Sequence, residues 1–253
     1  DILVEKPFAP TQAEAKQIFD LGRKLNRKVM LYQNRRFSSD FEVTRDIINS
    51  GKLGRIIEMH LRYDRYRAEI GPKVFKETPI PAAGIVYDLA GHLLDQAICI
   101  LGEPVSYRKI TGVYRKNSLV DDYGHIHLSY PNQLNVFITT SLLVADPQPG
   151  IIIHGTKGSF VKAFCDKQED QLIAGMMPGD PGFGKEDAGK EGRLTLMTEK
   201  GEKTVELVPS VVGKYMDLFE AVVQTIRKDA EFPVKESEVM TQIGILESEP
   251  DKV

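Results

Sequence analysis

The segment Asp88-Leu-Ala-Gly-His92-Leu-Leu-Asp95 sets two carboxylates and an imidazole at helical spacing inside an apolar stretch. Steps of four and three place Asp88, His92 and Asp95 on one narrow stripe of a helix. Around them stand Val86, Leu89, Leu93, Leu94 and Ile98, and only Gln96 suits a solvated face. Titratable groups on a mostly buried helix need a reason to be there, because burying an unpaired polar group costs free energy. One reason is general base chemistry, with His92 taking a proton while the carboxylate fixes its tautomer and stabilises the imidazolium. The other is a structural Asp–His–Asp hydrogen-bond group beneath a neighbouring loop, and the spacing leaves both open. Metal binding is a third reading, but no HExxH or CxxC accompanies the stripe, and none is expected.

Other residues could contribute. Glu5-Lys6-Pro7 ends a short apolar run, Ile2-Leu3-Val4, at the edge where open parallel sheets place their ligands. A lysine there can orient a hydroxyl and stabilise developing negative charge; a surface charge pair is the plainer reading. Asn34-Arg35-Arg36-Phe37 follows a second short run, Val29-Met30-Leu31-Tyr32, and its arginines could meet a phosphate or substrate oxygen or be surface charge. Tyr63, Arg65, Tyr66 and Arg67 form a cationic–aromatic cluster at a strand end. His125-Ile-His127 puts two imidazoles on one strand face without a clear third ligand, which reads as a satisfied or exposed pair. Gly179-Asp-Pro-Gly-Phe-Gly184-Lys185 has the spacing of a phosphate-binding loop. However, Glu186 stands where Ser or Thr should ligate magnesium, and Pro178 and Pro181 break the strand-to-helix context.

These groups need a scaffold. Thr11-Gln-Ala-Glu14 has capping-box spacing, and Ile18, Leu21, Gly22 and Leu25 recur at helical spacing. Residues 1–33 therefore read as strand, helix, strand, a parallel βαβ unit. Ser39-Asp-Phe-Glu42 again has capping-box spacing, with Gly51 where a helix would end. Alternation of Ile57, Met59, Leu61 and Tyr63 with polar residues predicts a half-buried strand over 55–66. After a helix over 87–101, strands are expected at 105–114, 123–130, 134–144, 151–164, 193–198 and 203–208. Helices are expected near 214–228 and 236–247, and a long loop over about 166–192. The expected class is α+β: a large, mainly antiparallel open sheet flanked by helices, preceded by the βαβ segment.

With 253 residues, 42% hydrophobic and 27% charged, the chain can build a substantial core. A net charge of −3 offers no basic field for nucleic acid. No apolar run approaches the roughly 20 residues of a membrane span, so a cytoplasmic protein without a membrane partner is expected. Cys99 and Cys165 are too few and too far apart for a disulfide framework.

Glu5-Lys6-Pro7, Asn34-Arg35-Arg36-Phe37 and Asp88-x-x-x-His92, in this order and separation, resemble the signatures of the glucose-fructose oxidoreductase/inositol dehydrogenase (GFO/IDH/MocA) family. Arg62–Arg67, Tyr87–Gln96, Ile153–Phe160 and Pro209–Tyr215 look most like its NADP-dependent scyllo-inositol dehydrogenase branch. The resemblance covers nearly the whole chain. It implies that residues 1–33 are the last part of a dinucleotide-binding Rossmann domain, and that 34–253 form a catalytic and oligomerisation domain. It implies hydride transfer between NAD or NADP and a hydroxyl of an inositol-like polyol or sugar, in a homodimer or tetramer joined through the sheet. Lys6 would lie between nicotinamide ribose and substrate, Asp88 and His92 would form the acid–base pair, and Glu5, Lys6 and Arg36 would contact the cofactor. The Lys6–Pro7 bond is often cis in such proteins. Two departures stand out: Ala90-Gly91 replaces the branch's Gly-Ser before the histidine, and the chain contains no glycine-rich GxGxxG turn. Alone, the chain is therefore expected to be inactive. A nicotinamide-dependent glycosidase of the same superfamily and a noncatalytic oligomerisation module are the alternatives.

Overall fold

A computed structural model describes residues 1–251. Strand β1 (Ile2–Val4), helix α1 (Gln12–Lys24) and strand β2 (Val29–Leu31) form the expected unit, with β1 and β2 parallel and Leu3 opposite Met30. The Thr11 hydroxyl accepts from the Glu14 N–H and starts α1. The buried face of α1 differs from the expected one: Ala15, Phe19 and Gly22 point inward, while Leu21 and Leu25 are exposed. Gly22 is there because a Cβ would meet Val29 Cγ2 at 2.5 Å.

Helix α2 (Ser39–Asn49) begins one residue earlier than the capping pattern predicts. Ser38 is its N-cap, yet the Ser38 hydroxyl turns to the Arg35 carbonyl and the Asp40 carboxylate. Gly51, at φ +68°, terminates it where expected. The main sheet comprises β3 (Ile56–Asp64), β4 (Ser106–Gly112), β5 (Tyr123–Tyr130), β6 (Leu134–Ser141), β7 (Ile151–Gly155), β8 (Gly158–Lys162), β9 (Gly192–Met197) and β10 (Lys203–Val208). Its order is β10-β9-β8-β7-β3-β6-β5-β4, antiparallel throughout except for the parallel β3–β6 pair. The strand expected over 151–164 is two strands. At Gly155 a Cβ would sit 2.2 Å from the Leu53 carbonyl, and the chain turns there through Thr156-Lys157.

Alternation along the strands sends Met59, Leu61, Ile126, Leu128, Val136 and Ile138 to one face, all at most 1% exposed. They pack against α3 (Gly91–Leu101), whose Leu93 and Leu94 are fully buried. Each such side chain contributes about 1.5–3 kcal/mol by leaving water. The opposite face carries His60, His125, His127 and Phe137, half-buried and without a covering layer among the described residues.

The 166–192 segment is not all loop, since Gln168–Ile173 forms a short helix, α4. Lys162, fully buried, anchors the segment through Glu186 at 2.6 Å, and Glu186 also accepts from Cys165 Sγ and the Ser210 N–H. Thus the glutamate that spoils the phosphate-loop pattern pins this segment to the sheet.

Helices α5 (Tyr215–Lys228) and α6 (Glu236–Glu247) close the chain. One face of α6 gives Ile245 and Leu246 to the main core. Its Val239 and Ile243 join Phe8, Phe19, Met30 and Leu31 in a second core. Gln242 bonds both the Gly91 carbonyl and Gln33. Helix α6 therefore fixes the β1–α1–β2 segment relative to α3, and with it the position of Lys6 relative to Asp88.

Candidate active site

Lys6 follows the carboxyl end of β1, and its bond to Pro7 is cis. Its Nζ donates to the Asp88 carbonyl at 2.5 Å and to Asp88 Oδ1 at 3.1 Å. Lys76 Nζ, from a segment with no sequence periodicity, donates to the same Oδ1 at 2.5 Å. One carboxylate therefore serves two ammonium groups. Burial pushes the Asp88 carboxyl up, but the Lys6 charge and the Lys76 hydrogen bond outweigh it and hold the group below its ordinary value. Lys6 is drawn below its ordinary value by burial, with Lys76 adding to that effect and Asp88 opposing it.

His92 lies near the start of α3, one turn beyond Asp88, and is 8% exposed. Its Nδ1 is buried and has no hydrogen-bond partner among the described residues. Burial first, then the charges of Lys6 and Arg35, push its pKa well below the ordinary 6.5. The ring is therefore neutral at neutral pH and can accept a proton.

The expected Asp88–His92 hydrogen bond is not formed among the described residues. Residues Val86–Ala90 form a π turn rather than the α-turn assumed from spacing. Both side chains reach the same cleft, but the carboxylate is taken by the two lysines through charge-assisted bonds. Asp88 orients Lys6 instead of the imidazole.

Asp95 leaves the stripe entirely. It is 3% exposed and receives Arg36 Nε at 2.8 Å and Nη2 at 2.6 Å, a bidentate pair. Arg36 also donates to the Pro233 carbonyl and the Glu238 carboxylate, so all three guanidinium nitrogens are engaged. The expected cofactor role of Arg36 is corrected on this ground: it is a buried clasp between the 34–37 turn, α3 and the start of α6. Its neighbour Arg35 lines the cleft instead, paired with Glu169 of α4.

The cleft has a volume of about 480 Å³. Lys6, Asp88 and His92 form part of its wall, with Glu5 and Tyr32 beyond the ends of β1 and β2, and Tyr63 and Tyr215 nearby. Burial pushes the Tyr63 hydroxyl up to about 12 and that of Tyr215 higher still, and the Tyr215 Oη is buried without a partner among the described residues. Two orphaned polar atoms, His92 Nδ1 and Tyr215 Oη, thus belong to residues of one polar cleft. Arg35 and Tyr63 belong to the two cationic clusters expected from the sequence, whereas Lys76 and Tyr215 are site residues with no signal of their own there.

Glu5, Lys6 and Tyr32 lie where a parallel sheet presents ligands, and their chemistry fits the nicotinamide end of a dinucleotide. No glycine-rich turn for the pyrophosphate occurs among the described residues. The histidines of β5 lie outside the cleft. His125 bonds Thr139, His127 bonds Asn135, and both rings stack on Phe137.

Residues 45–248 match the family described as "Oxidoreductase family, C-terminal alpha/beta domain" (GFO/IDH/MocA). The chain is 39% identical over 247 residues to the uncharacterized oxidoreductase YhhX of Escherichia coli, covering 98% of this chain and 70% of that protein. It is 31% identical over 247 residues to the scyllo-inositol 2-dehydrogenase (NADP(+)) IolW of Bacillus subtilis, covering 98% and 68%. The crystal structure of the yhhX oxidoreductase superposes with a TM-score of 0.89 at 38% identity, over 98% of this chain and 70% of that one.

Proposed function

The chain belongs to the GFO/IDH/MocA oxidoreductase family, and we propose that it carries the proton-transfer half of a polyol or sugar dehydrogenase with an inositol-like substrate. The observation that carries this reading is the convergence of Lys6, Asp88 and His92 on one cleft. The likeness to a scyllo-inositol dehydrogenase supports the substrate class.

Asp88 holds the Lys6 ammonium by both its carbonyl and its carboxylate, leaving a further N–H to donate to a substrate hydroxyl. That donation stabilises negative charge growing on the hydroxyl oxygen. His92 accepts the hydroxyl proton at Nε2, with Nδ1 carrying the other proton. The surrounding cations of Lys6, Arg35 and Lys76 disfavour a lasting imidazolium, so the proton passes on to solvent. A nicotinamide cofactor, when bound, supplies the hydride acceptor; Glu5 and Lys6 would hold its nicotinamide end, and NAD and NADP both suit them.

The open sheet face is proposed to meet a second copy in a homodimer or tetramer, with Phe137 and its three stacked imidazoles at the centre. We place the protein in the cytoplasm, in keeping with the free thiols of Cys99 and Cys165.

The assay uses the chain joined to a dinucleotide-binding fold, because the pyrophosphate has no seat among the described residues. With scyllo-inositol or scyllo-inosose and each cofactor, nicotinamide absorbance is expected to change without glycoside cleavage. No hydride exchange with any polyol or sugar would contradict the reading.

A further inference from the structure

Beside Asp88 a second cavity of about 180 Å³ opens, sharing Arg65, Lys73, Lys76, Asp88 and Leu89 with the main cleft. Its charges do not balance. Lys76 is spent on Asp88, and Arg115 on Glu77 and Asp122. The Asp121 carboxylate accepts the Val86 N–H at 2.8 Å and forms no ion pair among the described residues, so it is the one free anion of the lining. Arg65, Arg67 and Lys73 also line this cavity, and among the described residues none of the three forms an ion pair.

The two arginines are set by backbone. The Arg65 and Arg67 N–H groups donate to the carbonyls of Ser141 and Leu142 at 2.9 and 2.7 Å, continuing the extended run of β3 past Asp64. Residues two apart on such a run point the same way. A cavity several times the roughly 30 Å³ share of one water has room for a carboxylate or phosphate group.

We propose that this side pocket takes an anionic group carried by the substrate, so that the polyol is a sugar acid or a sugar phosphate. The reacting hydroxyl then lies at Lys6 and His92, while Arg65, Arg67 and Lys73 hold the anion. The proposal rests on the dehydrogenase reading for the reaction, but not for the binding itself. Fixing one end of the molecule selects which hydroxyl reaches Lys6.

Titration calorimetry on the full chain tests it with glucuronate, glucose 6-phosphate and glucose at low and high salt. At least one anion is expected to bind about tenfold or more tightly than glucose, with the preference shrinking as salt rises. Binding of only one anion supports the proposal and assigns the group. The double substitution Arg65→Met/Lys73→Met should abolish the preference, and both side chains are exposed, so circular dichroism should show an unchanged fold. Glucose binding as well as both anions, no binding by either anion, or a preference that survives the double substitution would overturn the proposal. Hydride transfer from neutral polyols with no anion preference would remove this inference and leave the dehydrogenase reading standing. An anion preference without hydride transfer from any polyol would do the reverse.

Discussion

Lys76 lies closer to the Asp88 carboxylate than Lys6 does: its Nζ is 2.5 Å from Oδ1, against 3.1 Å for Lys6, whose shorter bond goes to the Asp88 carbonyl. The acid of the candidate site is therefore shared between two lysines, and the net charge of the trio is positive. That arrangement suits a site where a hydroxyl must lose its proton, since the surplus charge favours the developing oxyanion.

Replacing Lys76 by Met removes the like charge that lowers the Lys6 pKa and gives Asp88 wholly to Lys6. The limb of the kcat/KM pH profile that reports Lys6 should move to higher pH, and turnover should fall about tenfold. Lys76→Arg should restore most of the rate. An unmoved pH profile would show that Lys76 only braces the loop.

Arg36 and Asp95 offer the contrasting case. Arg36→Met leaves a 3% exposed carboxylate without its bidentate partner. Urea unfolding should show a loss of about 3–5 kcal/mol, as when one member of a buried pair is removed. A contact to cofactor would instead raise KM for the nucleotide and leave the unfolding midpoint in place.

His92 should also mark the stability curve. Its folded pKa is well below 6.5, so between that value and 6.5 the unfolded chain binds the proton and the folded chain does not. Its contribution to stability is intact above about pH 6.5 and declines as pH falls toward the folded pKa. Chemical denaturation at pH 7.5 and 5.5 should therefore show a larger loss for the natural protein than for His92→Gln. Equal losses would place the imidazole in contact with water.

Self-association through the open face is checked by analytical ultracentrifugation. Phe137→Glu puts a carboxylate beneath His60, His125 and His127 at the centre of that face. It should shift the protein to monomer while leaving the helical core intact. A larger species that persists unchanged would place the contact elsewhere.

Much of the scaffold was readable because its signals are periodic. The strands expected at 123–130 and 203–208 and the helix expected near 236–247 coincide with β5, β10 and α6, and β5 alternates buried and half-buried residues along its whole length. Reading failed where tertiary contacts override pattern. Leu21 and Leu25 lie on the helical stripe yet face out, because close approach of β2 at Gly22 sets the packed side of α1. The π turn at 86–90 has no signature in residue type, so the relation of Asp88 to His92 was misjudged. Of two adjacent arginines, only the path of the 3₁₀ turn at Asn34–Phe37 decides which is buried. Lys76 returns to Asp88 from twelve residues away along a loop, and no spacing rule anticipates it.

The central claim is that His92 takes the substrate proton in a cleft where Asp88 holds Lys6. Its most direct test is nicotinamide absorbance during polyol oxidation, comparing His92→Ala with the natural residue in a protein that also carries a dinucleotide-binding fold. The account predicts a fall in kcat of about 10²–10⁴, with an unchanged circular dichroism spectrum. Normal turnover by His92→Ala would contradict it.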